Sequence, residues 1–314
     1  MLQGRVRGLH RIYCLFFLAP LLLPARAAMA LDTVHPFPVA VRAAVLIDAQ
    51  SGEFLYAQDP NERIPPASLT KVLTLFLTFD AVQRGRVHLD DIVPISKKAS
   101  RTGGSRMFLR AGDHVPLKEL IKGIAVDSGN DASVAVAEYL EGSERGFVTK
   151  MNEKLRALGI RHTRIETVHG LPARKQYTTA ADMALLARAY IQAHPEALPY
   201  HQLAYYTYRN ISQENHNKLL FQDPSVDGLK TGYTRKSGYN LLATAKRGDQ
   251  RLIAVVLKAK SRTIREEEAL RLLNFGFGQS GPPPGTQLPD VLPNPEGGAL
   301  PPVEHTEEVS PEGV

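Results

Sequence analysis

The sequence predicts an α/β fold of the α+β type, with one antiparallel sheet flanked by helices. Strand-like runs stand near both ends of a central block of about 250 residues. Helical patterns fill its middle, and an amphipathic helical pattern closes it.

Ala40–Asp48 and Glu53–Ala57 read as strands around the turn signal Ala49-Gln50-Ser51-Gly52. Ser68 to Gln83 follows as a helix with apolar residues on most sides (Val72, Leu73, Leu75, Phe76, Leu77, Phe79), which predicts a central, buried position. Further helical patterns run over Leu117–Val126, Ala132–Leu140, Glu144–Leu158 and Thr179–Gln192. Asn240–Arg247 and Arg251–Lys258 are β-rich runs joined by Gly248-Asp249-Gln250, a hairpin signal. Arg262–Phe275 is the closing amphipathic helix, and no internal repeat is visible.

The two ends of the chain differ from this block. Arg5, Arg7 and Arg11 precede an apolar stretch, Ile12 to Leu23, and two small-x-small sites, Ala25-Arg26-Ala27 and Ala28-Met29-Ala30. Residues 1–30 therefore read as a signal peptide of an exported protein, with an uncleaved anchor as the alternative. The single cysteine, Cys14, lies inside this segment. No disulfide framework, cysteine zinc site or Cys-x-x-Cys centre is therefore expected. Residues 279–314 hold nine Pro, five Gly and six acids with no Lys or Arg. That composition reads as a disordered acidic tail with no amphipathic membrane anchor. The block 31–278 is expected to be the working domain.

Residues 31–278 carry 34 basic against 26 acidic side chains, a net of +8. The excess is spread along the chain without basic runs or interleaved aromatics. This excludes a nucleic-acid surface and suits an anionic substrate or matrix. The ten histidines show no metal spacing, so no metal and no cofactor are expected.

Three short segments carry chemistry: Ser68-Leu69-Thr70-Lys71, Ser128-Gly129-Asn130 and Lys230-Thr231-Gly232. A serine and a lysine three residues apart on a helix share one face. A hydroxyl is a poor nucleophile until a base takes its proton, and a lysine can be that base once burial or a second cation lowers its pKa. Lys71 sits on the helix expected to be buried, where a lysine needs a partner or a task. Of 14 serines only Ser68 begins Ser-x-x-Lys, and the other two triplets also occur once each. Read singly, each has an ordinary explanation: a helix start after Pro65-Pro66-Ala67, an interhelical turn, and a strand edge.

Together, in this order and spacing, they resemble the motifs of the penicilloyl-serine transferases. The chain resembles the serine D-alanyl-D-alanine carboxypeptidases, the low-molecular-mass penicillin-binding proteins, from about Val39 to Gly276. Segments beyond the motifs share the likeness: Gly104-Ser105-Arg106-Met107-Phe108-Leu109 with Gly112-Asp113, Thr167-Val168-His169-Gly170-Leu171, Asp182-Met183-Ala184-Leu185-Leu186, Val226-Asp227-Gly228-Leu229 and Gly238-Tyr239-Asn240-Leu241.

The resemblance implies a β-lactamase/transpeptidase-like fold and a carboxypeptidase acting on peptidoglycan stem peptides, with β-lactams as inhibitors. By the same resemblance, Ser68 is the acyl-forming nucleophile, Lys71 its proton acceptor, and Ser128 a proton relay to the leaving amine. Asn130 orients the substrate amide, and Lys230 and Thr231 hold the terminal carboxylate. Gly232 lets the strand approach the substrate closely, and the N–H groups of Ser68 and Tyr233 form the oxyanion hole.

Three departures from the family stand out. Many relatives continue into a β-rich domain and a membrane-binding helix, where this chain enters its Pro-rich tail. His216 stands where some relatives have Arg, and Tyr233 where many have His or Thr. His169 is expected to support a loop beneath the site rather than act as a base. A D,D-endopeptidase and a silent penicillin sensor remain alternatives. A class A β-lactamase fits less well, because Glu166-Thr167-Val168-His169 lacks the Leu and Asn of its deacylation loop. The whole reading places the protein outside the cytoplasm, in the periplasm or an equivalent compartment.

Overall fold

The computed structural model describes Met1 and residues 36–278. The leader expected over residues 1–30, Met1 aside, and the tail expected over 279–314 lie outside the described residues.

Two short runs rich in apolar residues form the first hairpin, β1 (Ala43–Asp48) and β2 (Phe54–Gln58). Asp48 closes its turn by accepting the N–H groups of Gln50 and Ser51 at 2.9 and 2.8 Å. A 3-10 turn, Ala67–Leu69, leads into α1 (Thr70–Gln83), which is buried on nearly every side, as its apolar run predicts. A small lobe follows, with β3 (Ile92–Pro94), α2 (Lys97–Ser100) and β4 (His114–Pro116). The four helical patterns of the middle region appear as α3 (Leu117–Ala125), α4 (Asn130–Glu141), α5 (Glu144–Ala157) and α6 (Ala180–Ala193), within two residues of their predicted ends. Ser143 and Thr179 cap α5 and α6 through their side chains.

Beyond α7 (Leu198–His201) comes a hairpin that the sequence reading did not anticipate, β5 (Tyr205–Tyr208) and β6 (Ile211–Glu214). The chain then lays down β7 (Val226–Thr234), β8 (Gly238–Arg247), β9 (Gln250–Ala259) and α8 (Arg262–Gly276). Arg247 pairs with Gln250, so Gly248-Asp249 is a two-residue hairpin loop, and Gly248 supplies the positive φ that such a turn demands.

All neighbours in the main sheet run antiparallel, in the order β2-β1-β9-β8-β7. Both ends of the block thus build one sheet, as predicted. Alternation along β9 divides its side chains between two cores. Ile253, Val255 and Leu257 join the core that includes α1, α3, α4 and α6. Leu252, Ala254 and Val256 join Ala269, Leu272 and Leu273 of α8 on the opposite face. Each of the large aliphatic side chains buried there contributes about 1.5–3 kcal/mol. No helix among the described residues is long and apolar enough to cross a membrane.

Candidate active site

The first and third motifs meet at the start of α1. Ser68 lies in the 3-10 turn and Lys71 one turn further on, fully buried. The Lys71 Nζ stands 3.0 Å from Ser68 Oγ and donates to the carbonyl oxygen of His169 at 2.8 Å. Burial is the main reason its pKa lies well below the usual lysine value. The nearby charge of Lys230 adds to the depression and Asp131 opposes it. A neutral amine there keeps one hydrogen on the His169 carbonyl and can turn its lone pair toward the Ser68 hydroxyl.

A loop from the middle of the chain supports this pair from beneath. Thr74 Oγ1 donates to the Val168 carbonyl at 2.6 Å, and Gly170 presses against the turn that carries Ser68. A Cβ on Gly170 would fall 1.8 Å from the Ala67 carbonyl oxygen, and its φ is +89°, so both space and backbone conformation call for glycine. His169 contributes its backbone carbonyl, and its ring Nε2 faces Glu144 at 3.6 Å. Burial, then the charge of Lys71, lowers the imidazole pKa to about 4. Its Nδ1 accepts from the Leu171 N–H at 3.1 Å, a bond within the same loop.

Ser128 and Asn130 approach from the connection between α3 and α4. Ser128 is 2% exposed, holds φ at +58°, and has no hydrogen-bond partner for its Oγ among the described residues. Ala67 also takes a left-handed backbone, at φ +47°. Two non-glycine residues in this region, beside the nucleophile and within the second motif, mark a place where the fold holds its backbone against local preference. Asn130 Nδ2 donates to Gly103 O at 2.7 Å, while its Oδ1 has no hydrogen-bond partner among the described residues.

Lys230, Thr231, Gly232 and Tyr233 are consecutive residues of β7, the edge strand beside Ser68. Lys230 is buried, and burial followed by the charge of Arg265 brings its pKa to about 7. Gly232 touches the Ser68 turn directly. Tyr233 is exposed and lies over Tyr239 with ring centroids 4.3 Å apart. His216 has an exposed side chain on the loop before β7, near the cations Lys230, Arg262 and Arg265. Its carbonyl accepts a contact from Arg265 at 3.4 Å.

Ser68, Lys71, Lys230 and Gly232 therefore gather around the start of α1, and Ser128 and Asn130 stand where α3 gives way to α4. The sequence reading missed the carbonyls of His169 and Gly103 and the carboxyl of Asp127. Backbone carbonyls leave no trace in side-chain identity. The His169-Gly170 pair did stand within a segment noted for its likeness to the family.

The fold is that of the penicillin-binding proteins. The crystal structure of penicillin-binding protein 5 from Haemophilus influenzae superposes with a TM-score of 0.76 at 38% identity, over 78% of this chain and 73% of that one. Penicillin-binding protein D2 from Listeria monocytogenes, in its ampicillin-bound form, gives 0.71 at 28% identity, over 77% and 99%. A family profile described as D-alanyl-D-alanine carboxypeptidase, peptidase S11, matches residues 30–261, and the chain belongs to that family. It is 42% identical over 270 residues to the D-alanyl-D-alanine carboxypeptidase DacC of Escherichia coli K12, across 84% of this chain. It spans 66% of that relative's length, just under two thirds.

Proposed function

We propose that this chain is a serine D-alanyl-D-alanine carboxypeptidase that removes the terminal D-alanine from peptidoglycan stem pentapeptides. The observation that carries the reading is the fully buried Lys71 amine 3.0 Å from Ser68 Oγ. Neutral Lys71 takes the hydroxyl proton as Ser68 Oγ bonds to the carbonyl carbon of the penultimate D-alanine. The developing oxyanion is held by the N–H groups of Ser68 and Tyr233. The C–N bond then breaks, Ser128 relays the proton held by Lys71 to the departing amine, and D-alanine leaves with Lys71 neutral again. Water, its proton drawn off toward Lys71, attacks the acyl-enzyme and frees Ser68. Asn130 orients the substrate amide, and Lys230 with Thr231 receives the terminal carboxylate.

Residues 31–278 form the catalytic domain in this reading, residues 1–30 export it to the periplasm or its equivalent, and residues 279–314 are a Pro-rich acidic tail. β-Lactams, whose carboxylate and strained amide mimic the substrate terminus, acylate Ser68. The test is incubation with a pentapeptide muropeptide and with a crosslinked dimer, followed by mass spectrometry. Free D-alanine from the pentapeptide is expected, with none in Ser68→Ala. Monomerised dimer without it would favour an endopeptidase, and no product from either would overturn both readings. Penicillin should add a covalent adduct to the wild type, and an undiminished adduct in Ser68→Ala would remove Ser68 from its role.

A further inference from the structure

Asp127 stands immediately before Ser128, is 1% exposed, and neither carboxyl oxygen has a hydrogen-bond partner among the described residues. A buried carboxylate without donors is costly, so the group must be neutralised by a proton or a nearby cation. Its near neighbour Asp131 differs, because the N–H groups of Met107, Leu109 and Ala132 satisfy that carboxylate. The titratable groups around Asp127 are Asp131 on α4, Lys230 on β7 and Tyr206 on β5, whose hydroxyl donates to Glu119 on α3. Among them Lys230 is the one cation. Lys230 in turn feels Arg265 of α8 and acts on Lys71 of α1.

We propose that Asp127 is a positioning residue for carboxylate recognition, an internal rival that leaves the Lys230 charge to the ligand when protonated and competes for it when ionised. The inference rests on the reading of Lys230 as the carboxylate receiver. Burial, with Asp131 adding repulsion and Lys230 opposing it, raises the Asp127 pKa to about 8. Near neutral pH the group is therefore a neutral acid, and the Lys230 ammonium meets a ligand carboxylate unopposed. Above that range Asp127 is ionised while Lys230 has largely lost its proton, so carboxylate binding must restore a proton to each of them. Lys230 loses its own proton as pH rises, so any enzyme of this design loses carboxylate affinity in alkali. Asp127 makes the loss steeper by one further proton.

The experiment measures kcat/KM for a D-Ala-D-Ala peptide and for its C-terminal amide between pH 6 and 9.5. The ratio of the two cancels the titration of Lys71. Wild type and Asp127→Asn should give similar ratios at pH 6.5. Above about pH 8 the wild-type ratio should fall faster, with Asp127→Asn gaining roughly tenfold per further pH unit. Asp127→Glu, which keeps a carboxyl, should restore the steeper fall. A carboxylate preference with superimposed profiles would overturn the inference alone, as would a weaker Asp127→Asn at every pH, the mark of a required counter-ion. No preference for the carboxylate in wild type would overturn the Lys230 reading and this inference with it. Isotope-edited infrared spectra of the wild type give a readout that needs no variant. Binding of the peptide acid to the enzyme at pH 8.5 should increase the protonated-carboxyl signal, and an unchanged signal overturns the proposal.

Discussion

Gly232 of β7 rests against the backbone of Ser68 so closely that a Cβ on the glycine would stand 3.0 Å from the Ser68 nitrogen. The same Cβ would come within 3.2 Å of the Leu69 nitrogen and the Ala67 Cβ. The edge strand and the nucleophile turn thus meet through backbone and the Ala67 methyl, the close approach that an oxyanion hole of the Ser68 and Tyr233 N–H groups would require. Gly232→Ala must push the two apart by a few tenths of an ångström. We expect a fall of about 10²–10³ in acylation rate, the scale of losing one oxyanion donor. The melting temperature should change little. Penicillin acylation kinetics beside a thermal melt check this; an unaffected rate would mean that the close approach is dispensable.

Lys71→Arg should be nearly inactive, since a guanidinium does not deprotonate in proteins. In the wild type the acylation rate should rise with pH through the depressed Lys71 pKa and fall on its acid side, because only the neutral amine accepts the Ser68 proton. A stopped-flow pH profile with a chromogenic β-lactam reads this limb directly. Acylation retained in Lys71→Arg would place the base elsewhere.

Lys230→Gln should weaken turnover of a peptide acid while sparing its C-terminal amide. Loss of a charge-assisted contact costs about 1.5–3 kcal/mol, or roughly ten- to 150-fold in kcat/KM. Equal losses on the two substrates would take Lys230 out of carboxylate recognition.

His201 links pH to stability. Its Nδ1–H donates to the Leu229 carbonyl at 2.9 Å, and the Tyr190 hydroxyl meets its Nε2 at 3.1 Å, a pair of bonds made by the neutral ring. Burial, only partly opposed by the Leu229 bond, lowers its pKa from 6.5 to about 4. The folded protein therefore binds fewer protons than the unfolded chain between those values. The stabilisation is complete above about pH 6.5 and drains away as pH falls toward 4, by about 1.4 kcal/mol per unit for this group. Urea midpoints at pH 7 and 4.5 should differ accordingly. His201→Asn, which keeps a donor for Leu229, should be less stable at pH 7 and less sensitive to acid.

Much of this was legible because it depends on local spacing. Ser68 and Lys71 share a helix face by periodicity alone, and the apolar run from Val72 to Phe79 fixed the depth of that helix. The strands of β1, β8 and β9 were legible from branched and apolar runs bounded by Gly and Asp. The β5–β6 hairpin was missed because its turn is Arg209-Asn210, both at positive φ, in place of the Asn-Gly or Asp-Gly that advertises such a turn. β7 was only half visible, since Gly228 and Gly232 lower its apparent strand character. Long-range partners were beyond reach: the His169 carbonyl that receives Lys71 lies 98 residues along the chain, and nothing local announces it.

The pairing of β1 with β9 sets Ala43 against Leu257, joining segments made at opposite ends of the domain. Such contacts raise the contact order and slow folding, because the loop between them must close before any pairing is gained. The nucleophile turn lies inside that loop and leans on β7 and on the 167–171 segment, so its working geometry needs contacts made far along the chain. Covalent labelling by penicillin is then a maturation assay: a chain released before β9 is made has a serine at position 68 but no reactive one. Pulse-labelled protein should become penicillin-reactive in step with protease resistance, and not before it.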